Sequence, residues 1–279
     1  MQRIIQSCLL KIYAQIVRTG LLSTSWGRSL FHTAYYWYKL LVEARYVQSL
    51  RNYVKPGEVV IDVGANVGFF TKQFATWVSD GGFVIAVEPE TSNFRQLLQN
   101  LNNTGVADVV VTIQGVAAER PGMLKLAVNQ MHPGNHKIAS EGIDVTAFTI
   151  DDLVKKESTT RVCLMKIDVQ GAEERVLRGA QETIQRDHPA ILVEMDDEAL
   201  RQMESSAKRV VTLLMDLGYV MQRLGRDSRM NQISMAEALK MCCNGRYTDL
   251  LFVEASRAGR RQIIAHRPGS RTAAADLEG

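Results

Sequence analysis

The 279-residue sequence lacks several features that would assign a chain to a structural class at once. Its four cysteines form neither a C-x-x-C pair nor a zinc-type spacing, which favours reduced thiols over a disulfide framework or a zinc domain. No apolar run approaches the about 20 residues that a membrane span needs, and no internal repeat is present. What remains is an ordinary globular composition, 46% apolar and 23% charged, for which we expect a cytoplasmic location.

The net charge of +3 is small, but it is unevenly distributed along the chain. Residues 1–55 carry +7 and residues 255–279 carry +3, so residues 56–254 carry −7. Basic ends could contact phosphates, whereas the acidic body and the lack of an N-P-P-Y-like motif argue against a nucleic-acid substrate. We therefore expect no nucleic-acid partner, and the sequence gives no indication of the oligomeric state.

The first 18 residues follow the pattern of an amphipathic helix. Its polar side holds Arg3, Ser7, Lys11 and Arg18, and its apolar side holds Ile5, Leu9, Ile12 and Ile16. Two arrangements fit this pattern: the helix docks on the main domain, or residues 1–20 make a peripheral contact with a membrane surface. A secretory leader is not expected, because Lys11 interrupts the apolar core and no A-x-A cleavage site follows.

From residue 55 onward, short β-branched runs alternate with helical stretches. Strands separated by helices are typical of parallel β-α-β units, in which helices cover both faces of the sheet. The alternation of strands and helices is interrupted between residues 122 and 150. Two predicted strands flank a polar loop there and form an insertion, which we expect to shape the substrate site. We predict an α/β fold with an N-terminal helical extension (1–54), a main domain (55–255) and a flexible basic tail (256–279).

The stretch VIDVGANVGFFT, residues 60–71, places Gly64 and Gly68 directly after a predicted buried strand. Glycine permits a sharp turn and lets a ligand approach the backbone closely. Because ligands of doubly wound sheets bind at the carboxyl ends of the strands, this loop predicts a cofactor site. Glu88 ends the next predicted strand, twenty residues after Gly68, where its carboxylate can accept hydrogen bonds from both hydroxyls of a ribose.

Two cofactors fit a glycine loop followed by such an acid. A nicotinamide dinucleotide favours G-x-G-x-x-G, but no glycine stands three residues after Asn66. S-adenosylmethionine carries no phosphate and has a positively charged amino-acid end. Asp62 at the end of the strand suits that positive end, whereas it would disfavour a diphosphate. The residues therefore favour S-adenosylmethionine.

The order and spacing of four motifs resemble the FkbM family of methyltransferases over roughly residues 55 to 200. The motifs are DVGANVG (62–68), EPE (88–90), LMKIDVQGAEERVLRGA (164–180) and PAILVEM (189–195). The resemblance implies a Rossmann-like methyltransferase fold, with a mostly parallel sheet of seven strands and an antiparallel last strand. It also implies methylation of a hydroxyl on a sugar, a glycolipid or a secondary metabolite. The predicted S-adenosylmethionine-binding residues are Asp62, Gly64, Ala65, Asn66, Gly68, Glu88 and Pro89.

Methyl transfer to a hydroxyl requires two aligned reactants and removal of a proton. We predict Asp168 and Glu194 as catalytic residues, because they end the fourth and fifth predicted strands. Either could take the proton, or both could hold a divalent cation that acidifies the hydroxyl, so a metal requirement stays open. Lys166 lies on the same strand face as Asp168 and could pair with it. The family usually has glutamate where this chain has Gln170, which removes one candidate base or ligand.

Several alternatives stay open in the sequence. Asp168 could cap the helix that follows it. His132 and His136 in the insertion could act as bases, although solvated surface histidines are more common, and Asn129 and Asn135 could bind sugar hydroxyls. A non-catalytic protein that binds a partner through the same fold, or a nucleic-acid methyltransferase, are the competing functions.

Overall fold

The computed structural model describes residues 47–129, 136–157, 161–224 and 230–257. Several sequence predictions lie outside these ranges: the amphipathic helix of residues 1–18 with its membrane contact, the tail from residue 258, His132 and Asn135.

The α-helices that lie wholly within the described ranges are α1 (Phe69–Ala75), α2 (Thr91–Thr104), α3 (Ile150–Lys156), α4 (Glu173–Arg178), α5 (Gln181–Asp187), α6 (Asp197–Gln202), α7 (Ala207–Asp216) and α8 (Met235–Cys242). The strands are β1 (Val59–Val63), β2 (Val84–Glu88), β3 (Val110–Gln114), β4 (Val116–Ala117), β5 (Gly122–Ala127), β6 (Lys137–Ala139), β7 (Ile143–Phe148), β8 (Val162–Ile167), β9 (Ala190–Asp196), β10 (Tyr219–Leu224), β11 (Met230–Gln232) and β12 (Tyr247–Glu254). None of the described helices has the length and apolar character that crossing a membrane requires.

The main sheet has the strand order β11-β10-β12-β9-β8-β1-β2-β3. The five neighbouring strands β9, β8, β1, β2 and β3 are parallel to one another. Strand β12 inserts between β9 and β10 and runs antiparallel to both. The predicted Rossmann-like sheet of seven mostly parallel strands with an antiparallel last strand is confirmed. The sequence prediction missed β11, a three-residue edge strand that pairs with β10 and makes the sheet eight-stranded.

Both faces of the central strands are buried, which explains their continuous apolar runs. Alternate residues point to opposite faces, so Ile61 and Met165 pack in the layer that contains residues of α4, α5 and α7. Val60 and Leu164 pack on the other face against Phe74 of α1. The helices on the two faces hold the carboxyl ends of the parallel strands at one common edge.

The predicted insertion forms a second sheet, with the order β4-β7-β5-β6. Leu126, Val145 and Ala147 form its own small apolar cluster. Its strands β5 and β7 are the two strands that the sequence predicted, and they pair antiparallel. Lys137 Nζ on β6 donates to Gln202 Oε1 at the end of α6, at 2.8 Å. The insertion therefore reaches the helix that follows β9, beside the carboxyl edge of the main sheet.

Candidate active site

The glycine loop, residues 64–68, turns the chain between β1 and α1. Gly64 and Gly68 have left-handed φ angles of +76° and +89°. The backbone N–H groups of Gly64 and Ala65 both donate to the carbonyl of Val87, each at 3.0 Å, and Gly68 N–H donates to the carbonyl of Ala65 at 2.9 Å. Backbone hydrogen bonds thus fix the path of the loop against the end of β2.

A side chain would not fit at Gly64, and one at Gly68 would have to displace a leucine side chain. A Cβ atom at Gly64 would stand 1.9 Å from the backbone oxygen of Asp168, and one at Gly68 would stand 2.6 Å from Leu97 Cδ1. The sequence explained these glycines by the approach of a ligand. The structure adds a second reason, because the end of β8 and helix α2 also pack directly against the loop.

Glu88 ends β2, and its carboxylate lies against the glycine loop. Oε2 accepts the N–H of Asn66 at 2.8 Å, and Oε1 accepts the N–H of Glu90 at 3.0 Å and Asn93 Nδ2 at 3.5 Å. Burial raises the pKa of Glu88 to about 7, because desolvation outweighs these hydrogen bonds. A carboxylate has about four acceptor positions, which leaves capacity for a ligand hydroxyl. Pro89 follows at the half-buried rim.

Asp62 lies beneath the loop, with a side chain that has no solvent exposure. Its Oδ2 accepts the hydroxyl of Thr71 at 2.6 Å, and its Oδ1 lies 3.3 Å from Lys166 Nζ. These contacts are internal to the protein. Oδ1 accepts no hydrogen bond from the described residues, and the contact of Asp62 with the positive end of a ligand stays a prediction.

Lys166 on β8 connects the glycine loop with the carboxyl edge. Its Nζ lies 3.4 Å from Asp168 Oδ2, the pairing that the sequence predicted. The same nitrogen lies 3.3 Å from the carbonyl oxygen of Gly64 and 4.9 Å from the ring centre of Phe70. Because the lysine side chain is only 5% exposed and also pairs with Asp62, it stabilises two carboxylates at once.

The register of the sheet aligns acidic residues at the carboxyl edge. Strands β8 and β9 pair Ile167 with Val193, so the next residues, Asp168 and Glu194, lie side by side. Strand β12 pairs Asp249 with Glu194, which places these side chains on one face of adjacent strands. The sequence prediction missed Asp249, since its position depends on how β12 inserts beside β9.

Gln170 joins the two predicted catalytic residues. Its Nε2 donates to Glu194 Oε2 at 2.9 Å and lies 3.4 Å from Asp168 Oδ1. We call these three residues the acid edge. The sequence treated Gln170 only as the loss of a carboxylate, whereas in the structure its amide bridges two carboxylates.

Glu173 stabilises the turn after β8, which contains Asp168 and Gln170. Its Oε1 accepts the N–H groups of Val169 and Gly171, at 3.3 and 3.1 Å. Burial raises the pKa of Glu173 to about 7. Helix α4 has Ala172 at its N-cap position and no side-chain cap. The described contacts of the Asp168 side chain are instead with other side chains, which weakens the alternative that it serves as a helix cap.

The remaining predicted candidates lie in the insertion. The N–H of Asn129 donates to His136 Nδ1 at 3.1 Å, so that nitrogen is the acceptor of the imidazole in this arrangement. Within residues 47–129, 136–157, 161–224 and 230–257, no three His, Cys, Asp or Glu side chains are grouped as a metal site.

Comparisons with known proteins agree with this architecture. A family model described as "Methyltransferase FkbM domain" matches residues 62–221, more than half of the chain. Protein-L-isoaspartate O-methyltransferase of Aeropyrum pernix is 34% identical over 115 residues, covering 34% of this chain and 44% of that protein. Hexuronic acid methyltransferase AglP of Haloferax volcanii is 26% identical over 130 residues, covering 46% and 52%. The chain thus spans about half the length of these relatives.

Solved structures show a more distant likeness. The methyltransferase FkbM from Methylobacillus flagellatus KT shares 16% sequence identity and a TM-score of 0.47, and the match covers 89% of this chain and 59% of that one. A precorrin-6y C5,15-methyltransferase from Geobacter metallireducens GS-15 shares 12% identity and a TM-score of 0.44, with 76% and 88% covered.

Proposed function

The chain belongs to the FkbM-domain methyltransferase family, and from that premise we propose that it transfers a methyl group from S-adenosylmethionine to a hydroxyl of its acceptor. The cofactor binds at the glycine loop and Glu88. The acceptor hydroxyl meets the acid edge, where Asp168 removes the proton with Glu194 beside it.

One observation carries this proposal: the glycine loop and the acid edge touch. Gly64 packs so closely on the backbone of Asp168 that no Cβ fits between them. A cofactor held on the loop is therefore next to the carboxylates at the end of β8 and β9. Proximity of this kind is the main requirement of a displacement between two bound reactants.

The charge at this edge supports S-adenosylmethionine over a dinucleotide. Lys166 is shared between Asp62 and Asp168, while Glu194 and Asp249 lie further along the edge. Acidic side chains thus outnumber this cation among the described residues. A negative edge favours a sulfonium and a protonated amine, and it opposes a pyrophosphate.

Each residue of the site has a role in this reaction. S-adenosylmethionine, when bound, supplies the electrophilic methyl group. Glu88 accepts a hydrogen bond from a ribose hydroxyl, and the glycine loop lies against the cofactor. Asp168 acts as general base toward the acceptor hydroxyl, which contributes about 10²–10⁴-fold to a rate in typical enzymes. Lys166 pairs with Asp168 at 3.4 Å and so helps to hold its carboxyl group in place.

One of the two relatives supports a sugar as the acceptor class, since it is named for methylation of a hexuronic acid. The other is named for O-methylation of protein L-isoaspartate, so it supports transfer to oxygen but not a sugar. Carboxylates and amides at the acid edge can both hold sugar hydroxyls by hydrogen bonds. We propose a free glycan, a glycolipid or a hydroxylated secondary metabolite as the acceptor, and no nucleic acid.

Calorimetric titration with S-adenosylmethionine and with S-adenosylhomocysteine tests the cofactor. The Glu88→Ala variant should bind both about 1–3 kcal/mol more weakly, the usual effect of losing hydrogen bonds to a charged group. Asp144→Asn, an exposed acid on the second sheet, is the matched control and should bind normally. Tight binding of a nicotinamide dinucleotide by the wild type would contradict the proposal.

The acceptor requires a separate screen. The enzyme is incubated with isotope-labelled S-adenosylmethionine and pools of glycans, glycolipids and hydroxylated metabolites, and the products are separated and weighed by mass spectrometry. The expected product carries one added methyl group on oxygen. A separate pool of nucleic acids is the control. Cofactor binding without transfer to any of these pools would favour the non-catalytic alternative.

A further inference from the structure

The position of Gln170 is built into the backbone. Its φ of +54° is in the left-handed region, which is uncommon for a residue with a side chain. Gly171 follows at +104°, where a Cβ would stand 2.4 Å from the carbonyl oxygen of Ala199. Together with the hydrogen bonds that Glu173 accepts from two N–H groups of this turn, this geometry directs the Gln170 side chain toward Asp168 and Glu194.

The hydrogen bonds identify which end of the amide faces the carboxylates. The amide nitrogen, with its two N–H donors, faces both carboxyl groups. It lies 2.9 Å from an oxygen of Glu194 and 3.4 Å from an oxygen of Asp168. An uncharged donor therefore bridges the two acidic side chains.

A divalent cation needs oxygen ligands, and the amide nitrogen cannot be one. Magnesium has oxygen ligands at about 2.0–2.1 Å, so neighbouring ligand oxygens stand about 3 Å apart. The distances around Gln170 Nε2 are close to that spacing. A carboxylate at position 170 would complete a set of three oxygen ligands. The amide instead links the other two side chains by hydrogen bonds.

We propose that Gln170 is a positioning residue that holds Asp168 and Glu194 together through its amide in the place of a divalent cation. The pair then acts on its acceptor without a metal. The inference rests on the proposed function only where it calls this pair catalytic. The arrangement itself can be tested on the protein without any acceptor.

The test measures Mn²⁺ binding by electron paramagnetic resonance and by calorimetry. Gln170→Glu should bind Mn²⁺ at least ~10-fold more tightly than the wild type, since it adds a charge and an oxygen ligand between two others. Adding Asp168→Asn to that variant should remove the gain. Gln232→Glu makes the same chemical change at an exposed position on β11 and should leave Mn²⁺ binding at the wild-type level.

Two results would overturn the proposal. The first is Mn²⁺ binding by the wild type that Asp168→Asn or Glu194→Gln abolishes, since Gln170 would then present its oxygen to a bound cation. The second is a folded Gln170→Glu variant that binds Mn²⁺ no better than the wild type. Both are independent of S-adenosylmethionine, whose failure to bind would count against the proposed function alone.

A second variant covers the case in which Gln170→Glu does not fold. Gln170→Ala leaves the two carboxylates without their bridge and adds no charge. Its melting temperature should fall, and Glu194→Gln in the same chain should restore part of the loss because one of the two charges is removed. A melting temperature of Gln170→Ala equal to that of the wild type would show that the bridge has no positioning role.

Discussion

The glycine loop and the acid edge are neighbours, yet they are held in different ways. The path of the loop is fixed at its two glycines by backbone hydrogen bonds, among them those from Gly64 and Ala65 to the end of β2. The acid edge is fixed by contacts between side chains, with Gln170 and Lys166 as the donors. Backbone-held structure depends on local geometry, whereas side-chain-held structure depends on the partners that the sheet brings together.

Substitutions in the loop and substitutions at the acid edge should therefore have different effects. A substitution in the loop should disturb folding and cofactor binding together, because the backbone itself must move. A substitution at the acid edge should act through the side-chain partners that it leaves unpaired, with the backbone path unchanged, so it can alter the chemistry and the stability separately. Four predictions test this contrast, in order of decreasing effect.

Asp168→Asn should reduce the turnover of the acceptor by about 10²–10⁴-fold, the usual contribution of a general base. Cofactor affinity should change little, because Glu88 and the loop are untouched. Single-turnover kinetics and calorimetry on the same preparation measure the two quantities. Full activity in this variant would transfer the role of base to Glu194, and loss of activity with EDTA that Mg²⁺ restores would indicate a metal.

Lys166→Met should lower the free energy of unfolding by about 3–5 kcal/mol, because it leaves the buried Asp62 without its opposite charge. Lys125→Met is the matched control, since Lys125 pairs with Asp144 on the exposed face of the second sheet and such pairs contribute little. Denaturant unfolding measures both variants. Equal losses in the two would show that burial does not strengthen the Lys166 pair.

Gly64→Ala should destabilise the fold by ~3–4 kcal/mol and abolish cofactor binding, because its Cβ would collide with the backbone oxygen of Asp168. Gly81→Ala is the control for conformation alone. Gly81 has a similar φ of +84° but nothing within 4 Å of its Cβ position, so the cost should be ~1–2 kcal/mol. Similar losses at both sites would mean that the close approach contributes nothing beyond backbone strain.

Glu88 should make cofactor binding depend on pH. Its pKa is raised to about 7 in the folded protein, so its protonated form stabilises the fold at low pH, and that contribution is lost as the pH rises through about 7. The ionised form is the stronger acceptor of a ribose hydroxyl at its remaining acceptor position. Affinity for S-adenosylmethionine should therefore rise by at most ~10-fold between about pH 6 and about pH 8.

Glu88→Gln is the control for that titration, because an amide does not ionise in this range. Its affinity should be weaker and nearly independent of pH. The same rise in affinity in wild type and variant would assign the titration to the amino group of the ligand.

The main sheet and the glycine loop were predictable from the sequence. Alternating strands and helices, and glycines directly after a strand, are local patterns that predict structure without knowledge of distant partners. The FkbM motifs lie within such local units, and the family match extends over residues 62–221. The short edge strand β11 was missed because three residues carry too little pattern.

The pairing of the side chains of the site follows from the tertiary fold. Asp62 is predicted to bind the cofactor, and in the fold it lies buried between Thr71 of α1 and Lys166 of β8. Asp249 reached the edge through the insertion of β12 beside β9, and Gln170 became a bridge through a left-handed turn. Such pairings depend on strand register and on burial, which are properties of segments far apart in the chain, and a local sequence pattern does not encode them.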